Sequence, residues 1–265
     1  MSGQRFIIDA HTHLYTIDLY TLRPRSADYK ALVKRTIDGY LDWLDRFEVH
    51  QAAASSLTPM IFRCWKSRHG GNEEVFELMK IRPDRVLGQY VPNVYEGAAA
   101  VKEKITEAVE KYGCRGIKIH PWVQGFPAND ELVYPVFEKA AEFRLPVLIH
   151  SGTAPYCTPL LIADIARKFP DVPVIMGHMG KHELHLDVFP AIRLSENIYL
   201  EISGHEVLVT VEQAVREFGA RRILFGTDGP STAFRALVYY VEDMEISNEE
   251  KDWIFNRSAR EVFGL

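Results

Sequence analysis

Two histidines one residue apart, His11 and His13, follow the apolar run Phe6-Ile7-Ile8-Asp9. Side chains two apart on a strand point the same way. Both imidazoles should therefore project together from the exit of a buried strand. Paired imidazoles on a stiff backbone suit a metal ion, since each offers one nitrogen and the strand sets their separation. Alone, the pair reads equally well as two unrelated histidines near a chain end. The rest of the chain supplies company. Lys118 and His120, again two apart, close the run 116–120, and His150 closes the run 146–150. His178 stands in Met176-Gly177-His178-Met179-Gly180, and Asp228 in Gly226-Thr227-Asp228-Gly229-Pro230. Five of the ten histidines thus fall at strand-like exits, a sorting that favours a shared site over five separate structural histidines.

Elements must hold these residues in place. Short apolar runs without alternation recur at 6–9, 51–57, 86–91, 116–120, 146–150, 173–178, 197–202 and 222–226. Such runs imply strands buried on both faces, as in parallel sheets. Segments with helical periodicity separate them; the first places Tyr29, Leu32, Val33, Ile37, Leu41, Leu44 and Phe47 on one face. Eight strands, each followed by helical sequence, fit a closed (β/α)8 barrel of the TIM type, which takes about 250 residues. The alternative is an open doubly wound sheet, but no glycine-rich phosphate loop follows the first run. With no linker and no low-complexity segment, residues 1–265 are expected to form one domain.

Composition excludes several classes. The net charge of −5 and the lack of a basic cluster argue against a nucleic-acid surface. No apolar run is long enough to cross a membrane. The start Met1-Ser2-Gly3-Gln4-Arg5 lacks the apolar stretch of a secretory signal. Cys64, Cys114 and Cys157 are odd in number and scattered, which speaks against a disulfide framework and for a reduced, cytoplasmic location.

The chain resembles the metal-dependent amidohydrolase superfamily. Within it, the closest likeness is to the amidohydrolase-related group that includes aminocarboxymuconate-semialdehyde decarboxylase. The resemblance rests on Asp9-Ala10-His11-Thr12-His13, Gly116-Ile117-Lys118-Ile119-His120-Pro121, His150-Ser151-Gly152, Gly177-His178-Met179-Gly180, Phe225-Gly226-Thr227-Asp228 and the tail 256–265. It implies a distorted barrel in which His11, His13, His150 and Asp228 hold one divalent ion. Zinc is the expected metal, with manganese as the alternative for a mixed N/O set. His178 would lie just outside, and Asp228 with His178 would shuttle protons. In binuclear relatives the strand-four lysine is carbamylated and bridges two metals. Here an unmodified Lys118 that binds substrate or supports the site is expected, with His120 at the mouth. Phosphoesterases that also begin with His-X-His would end in Asp-X-His, whereas Gly229-Pro230 follows Asp228; barrel nucleases would carry a glutamate where Lys118 stands. Dimerisation among relatives makes a homodimer the expectation.

The loops above this site carry Arg63, Trp65 and Trp122, besides Arg23, Arg25, Lys66, Arg68, His69, Tyr156 and His205. Cations beside aromatics suit a small anionic substrate, although any one such residue is more commonly a solvated loop residue. Glu201 and His205 flank the exit of the seventh strand. Two chemistries fit. A metal-activated water could attack a lactone, amide or ester carbonyl, or the same acid–base pair could serve non-oxidative decarboxylation of an unsaturated or aromatic carboxylate. The compact chain tilts the expectation to hydrolysis. A non-catalytic, metal- or ligand-binding barrel is the third reading.

Overall fold

The computed structural model describes residues 5–18, 23–24, 28–61, 67–205 and 207–265. The eight expected strands are present: β1 Ile8–Leu14, β2 Gln51–Ser56, β3 Val86–Tyr90, β4 Gly116–Ile119, β5 Val147–His150, β6 Val174–Gly177, β7 Ile198–Glu201 and β8 Ile223–Leu224. They are parallel and neighbours in space follow chain order. Short buried runs pair in this way because helices cover the outer face and side chains fill the inner one. The ring closes between β8 and β1. Ala10 N donates to Phe225 O at 2.9 Å, Asp228 N to His11 O at 2.8 Å, and His13 N to Gly229 O at 2.8 Å.

Helices of the outer ring present apolar faces to this sheet. In α1 (Tyr29–Arg46), Asp28 caps the first turn by accepting from Ala31 N, and Leu32, Ile37, Tyr40, Trp43 and Leu44 are buried. The barrel interior holds Ile8, Ala53, Leu87, Leu148, Ile175 and Leu224, and the last helix, Ser258–Phe263, adds Ala259, Val262 and Phe263 beneath them. That helix plugs the lower end, so the open end lies at the strand C-termini, where barrel sites form.

One boundary departs from expectation. β1 does not stop at Asp9 but runs to Leu14, so both histidines lie within the strand. Between Asp9 and Thr12 its pairing with β2 slips by one residue, a bulge. The carboxylate of Asp9 holds this bend, accepting from His11 N at 3.1 Å, Thr227 N at 3.0 Å and Thr227 Oγ1 at 2.6 Å. Burial pushes the Asp9 carboxyl up to about 8, against the pull of Thr227 and His11. Asp9 thus ties the exits of β1 and β8 together. No helix among the described residues is long and apolar enough to cross a membrane. Cys114 and Cys157 are free thiols, as expected; Cys64 lies outside the described residues.

Candidate active site

The strand ends bring His11, His13 and Asp228 of the expected ligand set together, with His178 beside them; His150, the fourth expected ligand, stands at the cavity wall instead. His11 Nε2 and His13 Nε2 are 3.1 Å apart, and Asp228 Oδ1 lies 3.0 Å from His13 Nε2 and 3.6 Å from His11 Nε2. His11, His178 and Asp228 offer donor atoms within 4.8 Å of one another. The rings of His11 and His178 have centroids 4.9 Å apart, and those of His150 and His178 4.6 Å.

Buried partners fix these rings. His11 Nδ1 donates to Glu201 Oε2 at 2.7 Å, and both side chains are fully buried. A carboxylate only accepts, so the proton of His11 sits on Nδ1 and Nε2 carries the lone pair. This is the carboxylate–histidine pairing that orients metal-bound imidazoles. His178 Nδ1 donates to Ser203 O at 3.0 Å, which leaves Nε2 as its lone-pair atom. His13 Nδ1 meets Ser55 Oγ at 2.8 Å, a hydroxyl able to donate or accept. Glu201 accepts from four donors: His11 Nδ1, Ser203 N at 2.5 Å, Ser203 Oγ at 2.9 Å and His178 N at 3.3 Å. Gly226 makes room for it, because a Cβ there would fall 2.2 Å from Glu201 Oε1.

Lys118 is expected either to bind substrate or to support the site. It is fully buried, and its Nζ donates to His11 Nε2 at 2.8 Å. Burial lowers its pKa to about 8, against the opposing fields of Asp228 and Glu201. Burial likewise holds the imidazoles of His11, His120 and His150 well below their ordinary value, reinforced by the Lys118 charge at each. Burial raises Asp228, but the hydrogen bond from His13 and the charges of His11, His13 and His178 outweigh it and hold the carboxyl well below the usual range.

The donor chemistry fits a divalent cation. His11 Nε2 and Asp228 Oδ1 both present lone pairs and stand 3.6 Å apart, an arrangement that is repulsive without positive charge nearby. The ammonium of Lys118 on His11 Nε2 is the positive group the structure puts there. Neutral imidazoles with a carboxylate suit zinc and tolerate manganese.

A cavity of about 790 Å³ opens above the donors, lined by His13, His178 and Asp228 below and by His120, Trp122 and His150 at one wall. The rings of His120 and His150 stack with centroids 3.8 Å apart and planes at 15°. His150 Nε2 meets Thr153 Oγ1 at 3.1 Å, so His150 shares the cavity with the other donors while bonded to its own loop. Trp122 is exposed at the rim. Arg63, Trp65, Arg25 and Lys66 lie outside the described residues. Arg68 is paired with Glu103 and Glu107, and His69 is enclosed by Phe76, Tyr90 and Tyr112. His205 is buried, with Nε2 donating to Val207 O, and burial lowers it to about 4.

The segment after β6 is unusual. His178, Met179, Gly180 and Lys181 all have positive φ, at 64°, 46°, 79° and 52°. Each non-glycine residue held there costs about 1–3 kcal/mol, strain that the surroundings must impose. Ser151 Oγ imposes part of it by donating to Gly177 O at 2.5 Å and accepting from Gly180 N at 2.9 Å. Gly152 completes the packing: a Cβ there would sit 2.6 Å from the Gly180 carbonyl and 2.8 Å from Lys181 Cβ. His178 and Lys181 both line the cavity as a result. Sequence reasoning missed Lys181, Ser55, Ser203 and the clamp role of Asp9. The spacing Gly177–Gly180 was the available signal for a sharp turn at the sixth strand exit.

Comparison with known proteins gives a consistent picture. The sequence profile of the amidohydrolase family matches residues 8–265. A γ-resorcylate decarboxylase from Polaromonas sp. (strain JS666) is 30% identical over 132 residues, 43% of this chain and 40% of that protein, so the match spans less than half of the relative's length. A 2,6-dihydroxybenzoate decarboxylase structure from Rhizobium superposes with a TM-score of 0.74 at 17% identity, covering 98% of this chain and 99% of the other. A dihydroxybenzoic acid decarboxylase from Polaromonas sp. JS666, solved with bound manganese and the inhibitor 2-nitroresorcinol, gives 0.76 at 18% identity, covering 99% and 98%. A 5-carboxyvanillate decarboxylase from Sphingomonas paucimobilis gives 0.73 at 14%, covering 99% and 100%. At these identities the structural matches establish the shared barrel.

Proposed function

The chain belongs to the amidohydrolase family, and from that premise we propose that it is a metal-dependent, non-oxidative decarboxylase of a small aromatic carboxylate. The observation that carries this reading is the cavity wall: parallel His120 and His150 rings with Trp122 beside them, above Asp228 and His178. Flat π faces over an acid–base pair suit a planar ring. The 30% identity to a γ-resorcylate decarboxylase supports the same choice. The preference for hydrolysis rested on compactness. That argument weakens because the Rhizobium decarboxylase is matched over 99% of its chain.

His11, His13 and Asp228 would hold the ion, with His150 completing the set and the Lys118 ammonium giving up the His11 Nε2 lone pair to it; manganese is favoured, as in the Polaromonas structure, and zinc is the alternative. The ion would polarise the substrate's oxygens and offset their negative charge. Decarboxylation requires a proton on the ring carbon that bears the carboxylate. His178 is placed to bring it. With Nδ1 committed to Ser203 O, Nε2 is the atom that would take up a proton from solvent; burial holds this imidazole below its ordinary value, against the opposing charges of Asp228 and Glu201. His178 passes this proton to the ring carbon. The bond to the carboxylate carbon then breaks, its electron pair returns to the ring, and carbon dioxide leaves. The apolar side chains of Leu57, Met60 and Ile61 on the cavity wall exclude water from the reacting carbon. Lys118, fully buried on His11 Nε2 and not on the cavity lining, would support the donor set rather than bind substrate.

The test is a manganese-loaded enzyme offered hydroxybenzoates, including 2,6-dihydroxybenzoate, and separately a panel of lactones, amides and esters. Carbon dioxide released in step with substrate loss supports the proposal. Hydrolysis of a lactone or amide, with no carbon dioxide from any carboxylate, would return hydrolysis to first place.

A further inference from the structure

The cation that the sequence places at the site, Lys118, is fully buried, bonded to His11 Nε2 within the donor set, and does not line the cavity. An anionic substrate entering the cavity therefore meets a different charge. Among the described residues that line the cavity, Lys181 is the sole lysine or arginine. No ion pair engages it among the described residues, while most other lysines near acids are paired. Its charge is felt across the site, at His150 and His178. Nor is its position an accident of a loose loop. The positive φ angles of residues 178 to 181, the double hydrogen bond through Ser151 and the contact with Gly152 fix its backbone three residues beyond His178. An unpaired ammonium on a strained, well-braced turn beside the proposed proton donor is a built feature of the site.

We infer that Lys181 anchors the substrate's carboxylate at the cavity rim and so selects acids over the corresponding neutral rings. This rests on the decarboxylase reading for the identity of the substrate, but not for the charge selection itself. The other charged groups on the cavity are consistent with a single anionic anchor. Asp228 belongs to the donor set, and Glu183 lines the rim as a second negative charge, which disfavours a substrate bearing two carboxylates. His182, next to Lys181, lines the same rim and adds a hydrogen-bond donor. A lysine in this role acts as a point charge, tolerant of ring orientation, where an arginine would impose a bidentate geometry.

The experiment compares dissociation constants of the manganese-loaded protein for 2,6-dihydroxybenzoate and for resorcinol, the same ring without its carboxylate, read by rapid mixing before any turnover. The parent should favour the acid by tenfold or more. In Lys181→Met that ratio should fall at least fivefold through weaker acid binding, with resorcinol affinity, metal content and melting temperature unchanged. Lys181→Arg should recover most of the ratio. An unchanged ratio in Lys181→Met, with the variant folded and metal-loaded, overturns the assignment. Equal loss of both ligands also overturns it, since that would mark a packing role. If the ratio falls as expected but no carbon dioxide is ever released, the anchor stands and the decarboxylase proposal fails.

Discussion

Glu201→Gln tests the proposed metal centre without touching a metal ligand. Glu201 accepts from four donors with its two oxygens and donates to none. Glutamine is nearly isosteric but replaces one oxygen with an NH2 group. If that group faces His11, two donors oppose each other unless His11 moves its proton to Nε2, the atom that would bind the ion. If it faces Ser203 N, the clash falls on a contact of 2.5 Å. Either orientation leaves a buried donor unsatisfied and removes the charge that raises the basicity of His11. An unsatisfied buried group costs about 1–3 kcal/mol, and loss of such a carboxylate partner weakens metal binding by about 10- to 100-fold. The assay is the Mn²⁺ dissociation constant by competition with a fluorescent chelator, alongside melting curves with and without metal. The expected result is at least tenfold weaker binding in a folded protein. Binding within twofold of the parent, with the same melting temperature, would refute the argument that Glu201 fixes the His11 tautomer.

Other outcomes follow from the same geometry. Asp228→Asn removes the carboxylate that meets His13 Nε2 at 3.0 Å, and should lower turnover by about 10²-fold or more while the chain stays folded by circular dichroism; near-parental turnover would remove Asp228 from the reaction. Glu74 is buried and accepts from Thr16, Ser56, Thr58 and Tyr29 hydroxyls, and burial raises it from 4.5 to about 8. Between those values the folded chain holds a proton that the unfolded chain has released, so stability is greatest below about 4.5 and falls as pH rises through about 8. The span sets an upper bound of about 5 kcal/mol, and Glu74→Gln should flatten that part of the melting-temperature profile, because hydroxyls can turn to accept from the new amide. Trp122→Ala should raise KM severalfold with little change in kcat, since the residue is 53% exposed on the cavity rim and carries no proton to transfer.

The barrel was legible because its signal is local. An apolar run of four to seven residues without alternation needs burial on both faces wherever it occurs, and each of the eight found its partner in chain order. The residues on the floor of the site were legible from their spacing and from the runs they follow: His178 and Asp228 come just after β6 and β8, and His11 and His13 lie two apart within β1. Of what supports them, only the place of Glu201 at the end of β7 was legible. Ser55 reaches His13 from β2, Glu201 reaches His11 from β7, and Asp9 reaches Thr227 across the closure. These contacts depend on register between strands far apart in sequence, and no single-chain pattern reports register. The expected end of β1 failed on the same point, since the apolar run stops at Asp9 while pairing continues through the histidines to Leu14.

Lys118 and Lys181 show what residue types alone leave open. Both are lysines beside a histidine motif, and the sequence favours Lys118 because alternation aims it with His120 along a strand. Alternation gives the side of a strand, not the depth at which a side chain ends. On β4 the inward position leads into the barrel interior, where the ammonium ends on the donor atom His11 Nε2 and not on the cavity lining. Lys181 sits on no strand, and its direction comes from four successive positive φ angles, three of them at non-glycine residues that favour other backbone states. Local propensity argues against that turn, and tertiary contacts through Ser151 and Gly152 override it. Selectivity in this barrel is thus set where local rules are broken. The donor floor, built where they hold, is common ground for hydrolysis and decarboxylation alike. The choice between those reactions must therefore be sought at the rim, in the acid-over-ring preference that Lys181 is placed to impose.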